Sequence, residues 1–199
     1  LQCMRVLMRD PAHREHFVRL NGVTSLIGVL AELAGEHLSD RVDAEFTSEM
    51  LVETLSILKR FATLPPPPPP PQPPPQPPAL AEALPADEQT LHRTLVLLLS
   101  TREALVLQCA LVAMYQFAQV DAHMHAVGQL GCAEVLLRIL MAYEHSFKVL
   151  AAEVLELLLA NRTFFQEVVL LHDGTSTLLS LLHADDPALP VPLLRALER

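Results

Sequence analysis

The sequence predicts an all-α solenoid of stacked helical repeats, and three observations carry that expectation. Leu and Ala dominate, aromatic residues make up only 5%, Trp is absent and there are six glycines, a balance that favours helix over sheet. Apolar residues recur at three- and four-residue steps, as in Leu51, Leu55 and Leu58, then Leu107, Leu111 and Met114, then Val154, Leu155 and Leu158, which is the helical period. These helices are apolar on more than one face, so each needs neighbouring helices to cover it. With 51% hydrophobic residues in 199, the chain has ample material for a core.

Taken in order, residues 1–9 read as the end of a preceding repeat. The amphipathic pattern already under way at Leu1 and still running at Arg199 leads us to expect further repeats on both sides. Residues 12–64 form a first repeat: a short helix up to Asn21-Gly22, the Leu-rich VTSLIGVL, then a longer helix through Leu51 and Leu55. Residues 80–120 form a second, without its short helix and without the glycine expected near Asp87. Residues 121–161 form a third, with Leu130-Gly131 before CAEVLLRIL, and residues 162–199 a truncated fourth, with Asp173-Gly174 before TSTLLSLL. Gly22, Gly131 and Gly174 are expected to be left-handed helix stops that turn the chain sharply. Pro11, Pro85 and Pro192 fall at helix starts, where a missing N–H costs nothing.

Gly131 and Gly174 stand 43 positions apart, and VLQCALVAMYQFA aligns with VLAAEVLELLLA at the same offset, Val106 onto Val149. This period is that of armadillo or HEAT units, about 40 to 47 residues. A short helix, a middle helix and a long third helix follow the armadillo plan, since HEAT units have two. Gly22 and Gly131 are 109 positions apart, 23 more than two periods, so an insertion lies between them. It is PPPPPPPQPPPQPP, Pro65 to Pro78, which holds twelve of the 17 prolines. Proline has no N–H to give a helix or sheet, so the tract is expected to leave the stack as a disordered polyproline II loop with a reach on the order of 40 Å. The predicted organisation is therefore repeats over residues 1–64, the loop over 65–79 and repeats over 80–199.

The formal charge of −9 opposes attraction to nucleic-acid phosphates or anionic membranes, so neither is an expected partner. Cys3, Cys109 and Cys132 are odd in number and widely spaced; they read as small core residues of a protein in a reducing, cytoplasmic compartment. No apolar run approaches the roughly 18 residues of a membrane span.

Catalytic chemistry is not expected in this chain. No G-x-G-x-x-G or G-x-x-x-x-G-K-[ST] phosphate loop occurs among the glycines, and the kinase lysine, H-R-D and D-F-G signatures are missing. His172-Asp173-Gly174 reads as a repeat turn. His123 and His125 lie two apart, hence on opposite sides of a helix, and read as surface histidines that hold no metal together. Asn161-Arg162-Thr163 has the form of a glycosylation acceptor, discounted in a chain with free thiols and no leader.

Binding is the remaining class. The third helices should line the concave face of the solenoid, where Glu49, Glu53, Glu153 and Glu156 would attract a basic partner segment; solvated helix faces account for the same glutamates equally well. The prolines at Pro65, Pro68, Pro71, Pro74 and Pro77 have the spacing that aromatic-lined grooves accept, although the nearest basic residue, Arg60, lies five positions away. A tolerated low-complexity expansion is the competing reading. The repeated Trp and Asn rows of nuclear-import adaptors are absent from the third helices.

The strings LMRDPAHREHFVRLNGVTSLIGVLAEL, LHRTLVLLLSTREALVLQCALVAM, CAEVLLRILMAYEHSFKVLAAEVLELL and VVLLHDGTSTLLSLLHADD, in that order, resemble the N-terminal armadillo region of a NIMA-related serine/threonine kinase. The resemblance fails over Pro65–Pro78 and again at Pro190 and Pro192. It implies a kinase domain C-terminal to Arg199 that uses ATP and Mg²⁺, with none of its catalytic positions and no cofactor in this chain. It also implies that the repeats dock protein partners, the kinase domain of their own polypeptide among them, in ciliary or cell-cycle signalling. The alternative is a stand-alone armadillo adaptor of the axoneme or cytoskeleton.

Overall fold

A computed structural model of the chain describes residues 1–39, 44–62, 86–170, 174–182 and 194–195. The described residues hold eleven α-helices and no strand: α1 (Gln2–Leu7), α2 (Pro11–Arg19), α3 (Gly22–Leu38), α4 (Ala44–Leu58), α5 (Ala86–Leu98), α6 (Ala104–Ala118), α7 (Asp121–Gly128), α8 (Ala133–Ala142), α9 (His145–Leu158), α10 (Arg162–Leu170) and α11 (Gly174–Leu182). Leu194 and Arg195 are helical as well. The polyproline tract, Pro85, Asp173 and Pro192 lie outside the described residues.

Among the described residues two sets of three helices, α2 to α4 and α7 to α9, flank the pair α5 and α6. The short α2 meets α3 at 82° and the short α7 meets α8 at 88°, so the first and third units turn in the same way between their first and second helices. The third helices form a row in which α1 packs on α4, α4 on α6 and α6 on α9. Between the first and second units α3 packs directly against α5, second helix on second helix.

The core runs along the stack rather than around one centre. The helix α6 contains no charged residue and buries Val106, Leu107, Ala110, Leu111, Ala113, Met114, Phe117 and Ala118, because α4, α5, α7 and α9 all pack on it. Ala151 and Ala152 are fully buried in α9, which lets that helix approach α6 closely.

Local chemistry sets the helix ends. Asp10 caps α2 by accepting from the Ala12 N–H at 2.9 Å, with Pro11 in the first turn, as the proline predicts. Asn161 caps α10, its Oδ1 accepting from the Thr163 and Phe164 N–H groups at 2.9 and 3.2 Å. Gly131, at φ +72°, takes the expected left-handed turn before α8. Gly22 does not: it is the first residue of α3, and the left-handed residue is Asn21, at φ 55°. The short amide side chain makes Asn the best substitute for Gly in that region. Gly174 likewise begins α11.

Candidate functional site

The row of third helices leaves a groove of about 820 Å³ where α1, α4 and α6 meet. Its apolar lining is Leu1, Cys3, Met50, Val52, Leu105 and Val106; its acidic lining is Glu45, Glu49, Glu53 and Glu103. The size is that of a pocket for a small ligand or a few side chains. Glu45, Glu49 and Glu53 are spaced i, i+4, i+8, which places them along one face of α4. Glu103 precedes α6 at its N-terminus.

Glu49 is exposed, whereas Glu53 is largely covered. Arg5 of α1 pairs with Glu53 at 3.2 Å between Nη1 and Oε1, joining the first and second rungs of the row. The other oxygen of Glu53, Oε2, is buried and has no hydrogen-bond partner among the described residues. On α6, burial pushes the Cys109 thiol above its usual range, with Lys59 and Glu53 acting in opposite directions on it.

Two of the four glutamates read from the sequence, Glu49 and Glu53, line this groove. Glu153 and Glu156 are half-buried on α9 and do not line it. The five prolines from Pro65 to Pro77 lie outside the described residues. Glu45 and Glu103 line the groove as well. The stripe of three glutamates on α4 was available as a signal for Glu45, but nothing local marks Glu103, which joins the groove only because α6 stacks on α4.

A second polar cluster lies between the second and third units. His92 of α5 is fully buried, and its Nε2 sits 3.0 Å from Nδ1 of His123 on α7. His123 is half-buried, so its reading as a surface histidine is corrected: α5 and α6 of the preceding unit cover it. His125 is exposed as expected, its ring against the Asp121 carbonyl at 3.0 Å. Among the described residues no group of three or more His, Cys, Asp or Glu could hold a metal ion. Asn161, the nominal glycosylation acceptor, is 3% exposed and spends its side chain on the α10 cap. None of the described helices is by itself long and apolar enough to cross a membrane.

No model of a known protein family matches the sequence. In structure the chain is similar to two engineered proteins of known crystal structure, with TM-scores of 0.64 and 0.66 at 18% and 19% identity, covering 98% of this chain and 68% and 41% of theirs. It is also similar to a designed armadillo repeat protein solved in complex with the peptide (KR)4, with a TM-score of 0.58 at 15% identity, covering 97% of this chain and 78% of that one. The chain is thus an all-α solenoid of the armadillo-like class. In sequence it is 32% identical over 174 residues to the serine/threonine-protein kinase Nek10 of Mus musculus, and 31% identical over the same length to that of Homo sapiens. It is an armadillo-like region related to Nek10, as the ordered strings indicate. The matches take in 87% of this chain but only 14% and 13% of those relatives.

Proposed function

We propose that this region is a protein-docking module which takes a short basic segment of a partner into the groove between α1, α4 and α6. The observation that carries the reading is the groove's composition: apolar Met50, Val52, Leu105 and Val106 stand beside four glutamates, Glu45, Glu49, Glu53 and Glu103. Carboxylates beside apolar side chains favour Lys and Arg, whose stems lie along apolar surface while their charges meet the carboxylates. A net charge of −9 adds long-range attraction for a basic segment and opposes nucleic acid and anionic membranes. The designed armadillo repeat protein to which the chain is similar was solved with the basic peptide (KR)4, which supports the same chemistry here.

In the longer polypeptide implied by the Nek10 relationship, the region docks or regulates a kinase domain that binds ATP and Mg²⁺ outside this chain. The 199 residues themselves play a non-catalytic, cytoplasmic role at the cilium or cytoskeleton. Kinship alone supports that placement.

The test is fluorescence anisotropy with labelled (KR)4 as probe. The Glu49→Lys/Glu103→Lys double variant should bind at least about 10-fold more weakly, a loss of about 1.4 kcal/mol or more, and binding to the parent chain should weaken with added salt. Equal binding by parent and double variant would overturn the groove reading. A 199-residue chain with saturable ATP binding would overturn the non-catalytic one.

A further inference from the structure

His92 and His123 meet across the boundary between the second and third units. The rings stand edge to face, 5.0 Å between centroids and 64° apart, and Phe117 of α6 closes the pocket with its ring 5.2 Å from that of His123. At 3.0 Å between Nε2 and Nδ1, one ring must donate an N–H and the other must accept it on a lone pair. That bond can form while the pair holds no extra proton or one. A second proton puts N–H donors on both facing nitrogens, and two cations then confront each other in a buried site.

The surroundings offer little relief. The α6 helix brings Phe117 and no charged side chain. The Nδ1 of His92 is buried and has no hydrogen-bond partner among the described residues. On α7, the ring of His125 is held against the Asp121 carbonyl, and on α3 His37 is bound to Thr101 at 2.7 Å. Glu88, one turn before His92 on α5, is the carboxylate that acts on His123.

We propose that the His92–His123 pair is an acid-sensitive joint of the solenoid, holding α5 against α7 while it carries at most one extra proton and parting them when it takes a second. Burial, with His123 adding to it, holds His92 down to about 4. Burial also lowers His123, opposed by Glu88. The joint is therefore closed at neutral pH and opens in acid, before the rest of the stack.

Amide hydrogen exchange on the chain at pH 7.5 and pH 4.0, corrected for the intrinsic pH dependence, tests this directly. Amides of α5 and α7 should lose at least 10-fold in protection at pH 4.0, while those of α9 keep theirs. His123→Gln should abolish the selective loss. Unchanged protection, or a uniform loss from α5 through α9, overturns the proposal. Should the variant fail to fold, ¹⁵N imidazole titration of the unmodified chain decides: a second protonation of the pair well below the ordinary 6.5 supports the joint, and both rings taking up their protons at or above that value overturns it.

Discussion

Gly22 and Phe17 touch so closely that a Cβ built on Gly22 would lie 2.4 Å from Cε2 of the phenylalanine ring. The ring in turn packs on Phe61, 5.8 Å between centroids, so this contact joins α2, α3 and the end of the first unit. The glycine at the head of α3 is there for space, and the left-handed turn beside it belongs to Asn21.

Gly22→Ala should therefore destabilise the chain by about 1–2 kcal/mol, because the overpacking it causes outweighs the gain in helix propensity of about 1 kcal/mol. Denaturant unfolding measures the difference. A neutral or stabilising outcome would mean that the Phe17 ring turns aside freely.

Asn161 holds two N–H groups at the start of α10 and reaches back to the His125 carbonyl at 3.4 Å. Asn161→Ala should cost about 1–2 kcal/mol, since it removes a cap and leaves donors unpaired in a buried place. Asn161→Asp keeps the acceptor and should lose less. Equal losses in the two variants would show that the contact with α7, not the cap, is what matters.

The three thiols should react in a fixed order. Cys3 is exposed, Cys109 half-buried and Cys132 buried, and burial pushes Cys132 up to about 12, with Glu167 adding to the rise. The thiolate is the reacting species, so iodoacetamide at pH 8 should label Cys3 first, Cys109 more slowly and Cys132 only on unfolding. Mass spectrometry of the labelled peptides reads the order, and early labelling of Cys132 would contradict its buried place at the start of α8.

Glu167 of α10 accepts the Ala133 N–H at 3.2 Å, capping α8 in the unit before its own. Burial raises its carboxyl above the usual range, the bond to Ala133 lowers it, and Glu134 raises it further. A raised acid binds its proton more tightly folded than unfolded. Its contribution to stability is thus greatest below the unfolded value and declines as pH rises through the folded one. Glu167→Gln retains an acceptor without the charge, so at pH 7 its Tm should equal or exceed the parent's, while Glu167→Ala should lower it. A clear fall in Tm for the Gln variant would mean that the charge itself stabilises the cap.

The fold was legible because its signals are local. The 43-residue offset that takes Val106 onto Val149 set the third helices α6 and α9 in the same register. The functional surfaces were less legible because stacking makes them. His92, in LHRTL beside Arg93, has nothing local to mark it, and its contact with His123 exists only because α7 of the next unit packs on α5. Glu53 and Glu153 read alike on their helices, yet among the described residues Glu53 is the one that pairs with a neighbouring rung, through Arg5. Asn21 was overlooked because the glycine next to it is the stronger sign of a left-handed turn.

Within the row of third helices, the described members pack on one another in sequence, α1 on α4, α4 on α6 and α6 on α9. Tension applied to the two ends of such an array is carried in series, so every joint feels the full load and the weakest yields first. Stretched, the chain would lengthen by releasing units one at a time and would re-form each as the load fell, behaving as a compliant spacer rather than a brittle block.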